Sequence, residues 1–378
     1  MFKYNTHVCL VSGQAAANFL PIIAKDFTPQ KIILVVSEGM KESAKELTTA
    51  VKRAAPSTKI ELKEFKNPNN LQECYELADR IVTEENPDLN VENLALNFTG
   101  GTKLMSMAFL QTFNSFGLDS FYLNVEDNNI IIVKDIKNKK QISEPIEVKP
   151  SIKNYLLAYG YEIDERLSTI SSPILNTQEI RDFIDRIALK PSVYKNAIAN
   201  LNYWATMAEE KKQLFWDNCE INDEALNCMI DDLEQTDLIT FVKGKITFKN
   251  EESRFFLNGG WLEIYVLREI QKAGFKEYAA NIRLIKKADN EIDVAFLNNG
   301  HLNIIECKTC NMSQKTEVEK ILDKLAVFQR FGGNTTKTYL VSFQKVNEKV
   351  KQNAVANKKV TIIDGDSIKN LISKIKNS

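Results

Sequence analysis

Within the first 145 residues, short runs rich in β-branched residues alternate with stretches of helical length, and that alternation leaves few architectures open. The strand-like runs are His7–Val11, Lys31–Ser37, Lys59–Glu64, Leu94–Phe98 and Ser120–Val125. Between them lie Gln14–Lys25, Met40–Ala54, Asn70–Thr83 and Lys103–Phe116, which read as helices. Strand and helix in turn build a parallel α/β sheet with helices on its faces. Ligands of such sheets collect at the carboxyl ends of the strands, where loops pass into helix N-termini. Two of those loops stand out: Val11-Ser12-Gly13-Gln14 after the first strand and Asn97-Phe98-Thr99-Gly100-Gly101-Thr102-Lys103 after the fourth. Ser37-Glu38-Gly39 makes a third cradle. Glycine lets a ligand approach the backbone, a helix N-terminus offers free N–H groups to an anion, and Lys103 adds charge. The P-loop spacing GxxxxGK[ST] is missing.

The rest of the chain is organised differently. Residues 126–150 are polar, with a Lys137-Asn138-Lys139-Lys140 cluster and prolines at 145 and 150, and read as a hairpin and then a linker. Residues 151–235 read as helical, because Ile180, Phe183 and Ile184, then Leu201, Trp204 and Met207, recur at three- and four-residue spacing. Leu233–Phe248 resembles the end of a winged helix, with Leu238–Val242 and Lys245–Phe248 as a hairpin about Lys243-Gly244. From Trp261 a helix runs to about Ala273, followed by strands at Ile282–Ile285, Ile292–Leu297 and Leu302–Cys307. A helix over Glu317–Phe331, a strand at Lys337–Ser342 and a final β–α pair (Val360–Ile363, Ser367–Ile375) close the chain. The pattern predicts three units, 1–145, 146–250 and 251–378.

Charge is needed to judge the partner. The 49 basic and 50 acidic side chains give a net charge of −1, which argues against a protein held to nucleic acid by bulk basicity. Division along the chain reverses that. Residues 1–145 carry 16 basic and 18 acidic groups, 146–235 carry 9 and 16, and 236–378 carry 24 and 16, a balance of +8. A basic C-terminal third points to an anionic partner there. No run approaches the roughly 18 apolar residues of a membrane helix, and the N-terminus lacks a signal-peptide pattern. The six scattered cysteines suggest no disulfide framework. The chain reads as cytoplasmic.

The chemistry concentrates in Asn290-Glu291-Ile292-Asp293-Val294 and Asn303-Ile304-Ile305-Glu306-Cys307-Lys308-Thr309. In a strand, alternation puts Glu306 and Lys308 on one face and Ile305 and Cys307 on the other. Asp293 lies on the preceding strand, across a turn at Asn298-Asn299-Gly300. Two carboxylates and an ammonium thus converge on otherwise apolar strands, where unpaired charge is costly. A divalent Mg²⁺ or Mn²⁺ ion supplies a reason, since it takes one or two carboxylates and leaves positions for water and phosphate. Lys308 can orient a nucleophilic water or offset charge in the transition state. Cys307 is counted with Asp293 and Glu306 as a candidate metal position. A zinc site is not supported, because Cys307-Lys308-Thr309-Cys310 has no second pair at similar spacing.

The D…ExK arrangement resembles the PD-(D/E)xK nuclease superfamily, with Asp293, Glu306 and Lys308 at the matched positions. The resemblance implies a further acid on the preceding helix, and Gly259-Gly260-Trp261-Leu262-Glu263 offers Glu263. It also places Lys320 and Lys324 on a following helix that meets the nucleic-acid backbone. Ile292 stands where the superfamily often has proline. The Ser12-Gly13-Gln14 and Thr99–Lys103 loops resemble those of CARF domains, the Rossmann-like CRISPR-associated sensors of cyclic oligoadenylates. A CARF domain, a helical winged-helix-like connector and a restriction-endonuclease-like α/β domain together resemble the ancillary nucleases of type III CRISPR systems. That resemblance implies a homodimer that binds cyclic tetra-adenylate through Ser12, Gly13, Gln14, Ser37, Thr99, Gly100, Gly101, Thr102 and Lys103. It further implies a metal-dependent endonuclease for single-stranded DNA or RNA, with the acidic middle as spacer and transmitter. The alternative from another class is a ligand-responsive transcription regulator with an inactive nuclease-like domain.

Overall fold

The N-terminal runs become strands because their apolar residues are covered from both sides, and Lys31–Ser37 is buried at every position after its first. The structure, a computed structural model, describes residues 3–136, 138–164, 175, 177–285, 290–312 and 315–378. Residues 165–174 of the expected helical middle, and Lys137 of the basic cluster, lie outside the described residues.

Among the described residues the chain opens with β1 (Thr6–Leu10), α1 (Ala16–Ile23), β2 (Lys31–Ser37), α2 (Lys41–Ala54), β3 (Lys59–Phe65), α3 (Leu71–Glu85), β4 (Leu94–Asn97), α4 (Lys103–Ser115) and β5 (Ser120–Asn124). The expected hairpin, β6 (Asn129–Asp135) and β7 (Lys140–Pro145), pairs onto β5 and continues the same sheet. The strand order β3-β2-β1-β4-β5-β6-β7 is parallel through β5 and antiparallel beyond it. Successive strands move outward from β1 in one direction and then jump to its other side at β4. A crevice therefore opens between the loops that follow β1 and β4.

After α5 (Ile152–Ala158), helices α6 (Gln178–Leu189), α7 (Pro191–Glu210) and α8 (Glu224–Gln235) surround a three-stranded sheet of β8 (Phe215–Trp216), β9 (Ile239–Val242) and β10 (Lys245–Phe248). The β9–β10 hairpin turns at Lys243-Gly244, both at positive φ, as the sequence predicts. Helices α9 (Glu251–Phe255) and α10 (Trp261–Lys272) then lead into the last sheet. That sheet comprises β11 (Glu277–Leu284), β12 (Asn290–Asn298), β13 (His301–Lys308), β14 (Lys337–Ser342) and β15 (Val360–Asp364), in that order. Helix α11 (Lys315–Phe328) links β13 to β14, α12 (Glu348–Lys358) links β14 to β15, and α13 (Leu371–Lys376) closes the chain. Pairing is antiparallel from β11 to β13 and parallel from β13 to β15. No described helix is long and apolar enough to cross a membrane.

Three apolar clusters among the described residues hold these layers. One covers the outer face of the N-terminal sheet under α3 and α4. A second packs the helical middle and α10 against Val294, Ile305, Cys307 and Val341 of the last sheet. The third is continuous from Phe19, Phe27 and Ile32, through Tyr155 and Leu156 of α5, to Leu302, Ile304, Leu322 and Phe328. The helical middle is therefore no spacer. It lies on one face of the last sheet while the N-terminal domain packs toward the other, because α5 buries Ile152, Tyr155 and Leu156 between the two. The β12–β13 turn also docks on the N-terminal domain: Asn128 Nδ2 donates to the Asn299 carbonyl, and Gly300 faces Val148.

Tyr155 is wholly buried in this shared core. Removal of a large buried aromatic costs about 3–5 kcal/mol. Tyr155→Ala is expected to lower unfolding stability by about that amount in urea denaturation, and a loss below about 1 kcal/mol would show that α5 does not clamp the two sheets.

Candidate functional site

The N-terminal crevice is built on two buried asparagines. Asn97 ends β4 and Asn18 sits in α1, each with almost no exposure. Asn18 Nδ2 donates to the Leu10 carbonyl at 2.9 Å, and Asn97 Nδ2 donates to Ala17 O (2.9 Å) and Asn18 Oδ1 (3.0 Å). On its other side Asn97 Oδ1 accepts from the Thr99 N–H (3.1 Å) and hydroxyl (2.6 Å). These bonds tie the loops after β1 and β4 to one frame. Close approach is the reason for Gly100, where a Cβ would run into the Leu10 carbonyl oxygen. Thr102 caps α4 by accepting the Met105 N–H at 3.2 Å.

The expected ligand residues divide accordingly. Ser12, Gly101 and Thr102 are half-buried at the crevice, while Gly13 and Lys103 are exposed. Ser37 ends β2 at the same edge and is buried. Thr99 is committed inward, since its hydroxyl also accepts the Leu123 N–H at 2.8 Å. Gln14 points elsewhere: its Oε1 accepts the Asn334 N–H at 3.0 Å, in the C-terminal domain. The Asn18–Asn97 frame escaped the sequence reading, although an Asn at the end of Leu94-Ala95-Leu96-Asn97 and another inside an apolar helix were the available signals.

The second cluster follows from strand direction. Because β12 and β13 are antiparallel, the start of β12 lies beside the end of β13, and Asp293 meets Glu306. The regular ladder ends at Val294↔Ile305. Beyond it the Cys307 N–H donates to Asp293 Oδ2 at 2.7 Å, a carboxylate in place of a backbone acceptor. Lys308 Nζ lies 2.8 Å from Glu306 Oε1 and 3.8 Å from Asp293 Oδ2. Helix α10 approaches from one face and brings Glu263; α11, on the other, brings Lys324, whose Nζ lies 2.9 and 2.8 Å from the two Glu306 oxygens. Lys324, expected on a helix that meets the nucleic-acid backbone, instead has its ammonium on Glu306. From the helical middle, Asn202 Nδ2 donates to Thr309 Oγ1 at 2.9 Å and braces the end of β13.

The electrostatics are those of crowded carboxylates. Burial, then the charge of Asp293, pushes the Glu263 carboxyl up to about 9. Burial and the neighbouring Glu306 push Asp293 up to about 6. Burial opposes the Lys308 charge, yet Asp293 and Glu306 hold its ammonium above the usual range. Glu263 Oε2 is buried with no hydrogen-bond partner among the described residues. An orphaned buried oxygen beside two carboxylates fits a hard divalent cation, which favours oxygen donors and needs only one or two carboxylates from the protein. No three His, Cys, Asp or Glu side chains among the described residues converge closely enough to hold an ion by themselves. Cys307 does not fit as a thiolate ligand. Alternation turns its side chain into the apolar cluster, and burial, then Asp293, keeps the thiol well above its ordinary pKa. Its backbone N–H, rather than its thiol, makes the hydrogen bond to Asp293.

Comparison with known proteins agrees with this two-part architecture. Residues 6–155 match the family model described as the Card1 CARF domain, and 250–378 match the one described as Card1-like, endonuclease domain. Can2 from Sulfobacillus thermosulfidooxidans, solved in complex with cyclic tetra-adenylate, is 25% identical, covers 98% of each chain and superposes with a TM-score of 0.80. Protein VC1899 from Vibrio cholerae shares the fold at 20% identity and a TM-score of 0.83, over 98% of this chain and 97% of its own. A type III CRISPR defence DNA nuclease activated by cyclic oligoadenylate matches 90% of this chain over 45% of its own, at 13% identity and a TM-score of 0.51. No curated protein matches by sequence.

A carboxyl whose pKa rises on folding holds a proton that the unfolded chain, near ~4.3, has lost. Its contribution to stability therefore falls as pH rises from there towards about 9 for Glu263. Chemical denaturation of the metal-free protein at pH 5 and pH 8 should show a smaller loss of stability for Glu263→Gln than for wild type. Equal losses would mean that Glu263 titrates as an ordinary surface carboxyl.

Proposed function

We propose that this chain, a CARF domain fused to a Card1-like endonuclease domain, is a divalent-metal-dependent endonuclease switched on by a cyclic oligoadenylate. The observation that carries the reading is the convergence of Asp293, Glu306 and Lys308 at one sheet edge, beside the orphaned Glu263 oxygen, in a molecule that also holds the Asn18–Asn97 crevice. Asp293 and Glu306 would hold Mg²⁺ or Mn²⁺, aided by Glu263. When bound, the ion lowers the pKa of a coordinated water and neutralises phosphate charge. The Cys307 N–H, which donates to Asp293 Oδ2, supports this role by fixing the carboxylate. Lys308 would orient the attacking water and offset charge as the phosphodiester passes through its transition state.

The substrate of this reading is single-stranded DNA or RNA, consistent with the +8 balance of residues 236–378. The activator is cyclic tetra-adenylate, the ligand of Can2 in its solved complex. Its approximate two-fold symmetry suits a homodimer that presents the same crevice twice. Ser12, Gly13, Gly101, Thr102 and Lys103 line the accessible part of the crevice, while Gly100 and Thr99 shape it from behind. The protein acts in the cytoplasm in type III CRISPR defence. Intact Asp293, Glu306 and Lys308 disfavour a transcription regulator with a degenerate nuclease domain.

Labelled single-stranded DNA and RNA, incubated with Mn²⁺ or Mg²⁺ with and without cyclic tetra-adenylate, test the reading directly. Cleavage is expected only with both metal and nucleotide. Glu306→Ala should reduce cutting by about 10²-fold or more while nucleotide binding persists; undiminished cutting would remove Glu306 from the active site. Lys103→Ala should raise the half-activating nucleotide concentration about tenfold, the effect of one lost charge-assisted contact. An enzyme indifferent to the nucleotide would overturn the sensor assignment.

A further inference from the structure

The C-terminal end of one helix lies near both sites, and what it touches at each differs in kind. Near the C-terminal end of α11, Lys324 Nζ sits 2.9 and 2.8 Å from the two oxygens of Glu306. Both donor atoms that a cation would use at Glu306 therefore face an ammonium. Past its C-terminal end, α11 runs through the short 3-10 turn Gln329–Gly332 to Gly333 and Asn334. There Gln14 Oε1 reaches across from the sensor loop to accept the Asn334 N–H at 3.0 Å.

This far end is tightly fitted. Gly333 has φ of +77°, and a Cβ on it would strike both Gln14 Oε1 and the Tyr159 hydroxyl. The Tyr159 hydroxyl accepts the Ala16 N–H at 3.2 Å, and the Tyr155 hydroxyl donates to Gly332 O at 3.2 Å. Phe331 packs, tilted, between Phe328 (4.9 Å) and Tyr161 (4.3 Å), so the turn and the helix form one packed piece. Beside the turn lies a cavity of about 440 Å³ lined by Glu126, His301, Asn334, Thr335, Thr336 and Lys337, which gives the turn a place to go.

We propose that Lys324 is the resting occupant of the metal-binding carboxylate and that Gln14, through the Gly333–Asn334 turn, sets whether it stays there. This rests on the functional reading above. Nucleotide at the Ser12–Gln14 loop draws Gln14 away from Asn334, the freed turn shifts toward the cavity, and α11 carries Lys324 off Glu306. Glu306 then becomes available to the ion. Such coupling is reciprocal by linkage: whatever factor the nucleotide adds to metal affinity, the metal adds to nucleotide affinity.

The test is made on the full chain, with Mn²⁺ binding read by electron paramagnetic resonance and cyclic tetra-adenylate binding by calorimetry. In wild type the nucleotide should tighten Mn²⁺ binding about 5- to 100-fold, and Mn²⁺ should tighten nucleotide binding by the same factor. Lys324→Met should bind Mn²⁺ without nucleotide as tightly as wild type does with it. Gln14→Leu and Gly333→Ala should each bind Mn²⁺ as tightly without nucleotide as at saturating nucleotide; Gln14→Leu serves where Gly333→Ala fails to fold. Wild type that binds both ligands independently, or Lys324→Met with unchanged Mn²⁺ affinity, would overturn the inference. Wild type that binds no cyclic nucleotide would overturn the sensor reading itself.

Discussion

The apolar core that passes through α5 decides what the two halves of this molecule can do to each other. Tyr155 and Leu156 belong at once to the packing under the N-terminal sheet and to the packing over β13 and α11. Domains joined by a flexible linker move apart freely, whereas close-packed interiors transmit strain because their atoms have little room to yield. A displacement near α1 or α2 is therefore felt at α11. The helical middle, on the opposite face of the last sheet, supports β13 from behind through Asn202 and Thr309.

The carboxylate cluster stands under the opposite constraint. Glu263 and Asp293 are buried near one another and near Glu306, and each raises the cost of charge on its neighbours. Natural folds accept such local instability where chemistry requires it, and the surrounding core compensates. Two lysines moderate the strain here, one on β13 and one on α11. Lys308 is fixed by the strand that also carries Glu306, whereas Lys324 depends on where a helix lies. The same charge pair can thus be permanent in one case and conditional in the other.

Much of this was legible in the sequence. The parallel sheet followed from β-branched runs separated by helical lengths, and the β12–β13 hairpin followed from Asn299-Gly300 between apolar strands. Those two patterns were enough to bring Asp293, Glu306 and Lys308 together. Helix α12 was missed because its apolar positions are few: Val350 and Ala354 are buried in a stretch otherwise rich in lysine and asparagine. The orientation of Gln14 could not be read, since its partner Asn334 is remote in sequence and is reached through a backbone N–H, which leaves no trace in side-chain identity. Lys324 was expected to face nucleic acid, and nothing in the sequence around it told of the buried Glu306 over which the fold places it.

The docked turn at Asn299-Gly300 has a consequence for how this protein can vary. A free hairpin tolerates extra residues at its tip, where insertions ordinarily collect. Here the tip rests on Asn128 and Val148, so added length at that end would push the N-terminal domain away. At the other end, the Cys307 N–H holds Asp293 in register with Glu306. The separation between the two acids is thus set twice, once by strand pairing and once by the wall the turn leans on. Diversification of the nuclease domain is steered toward its other loops.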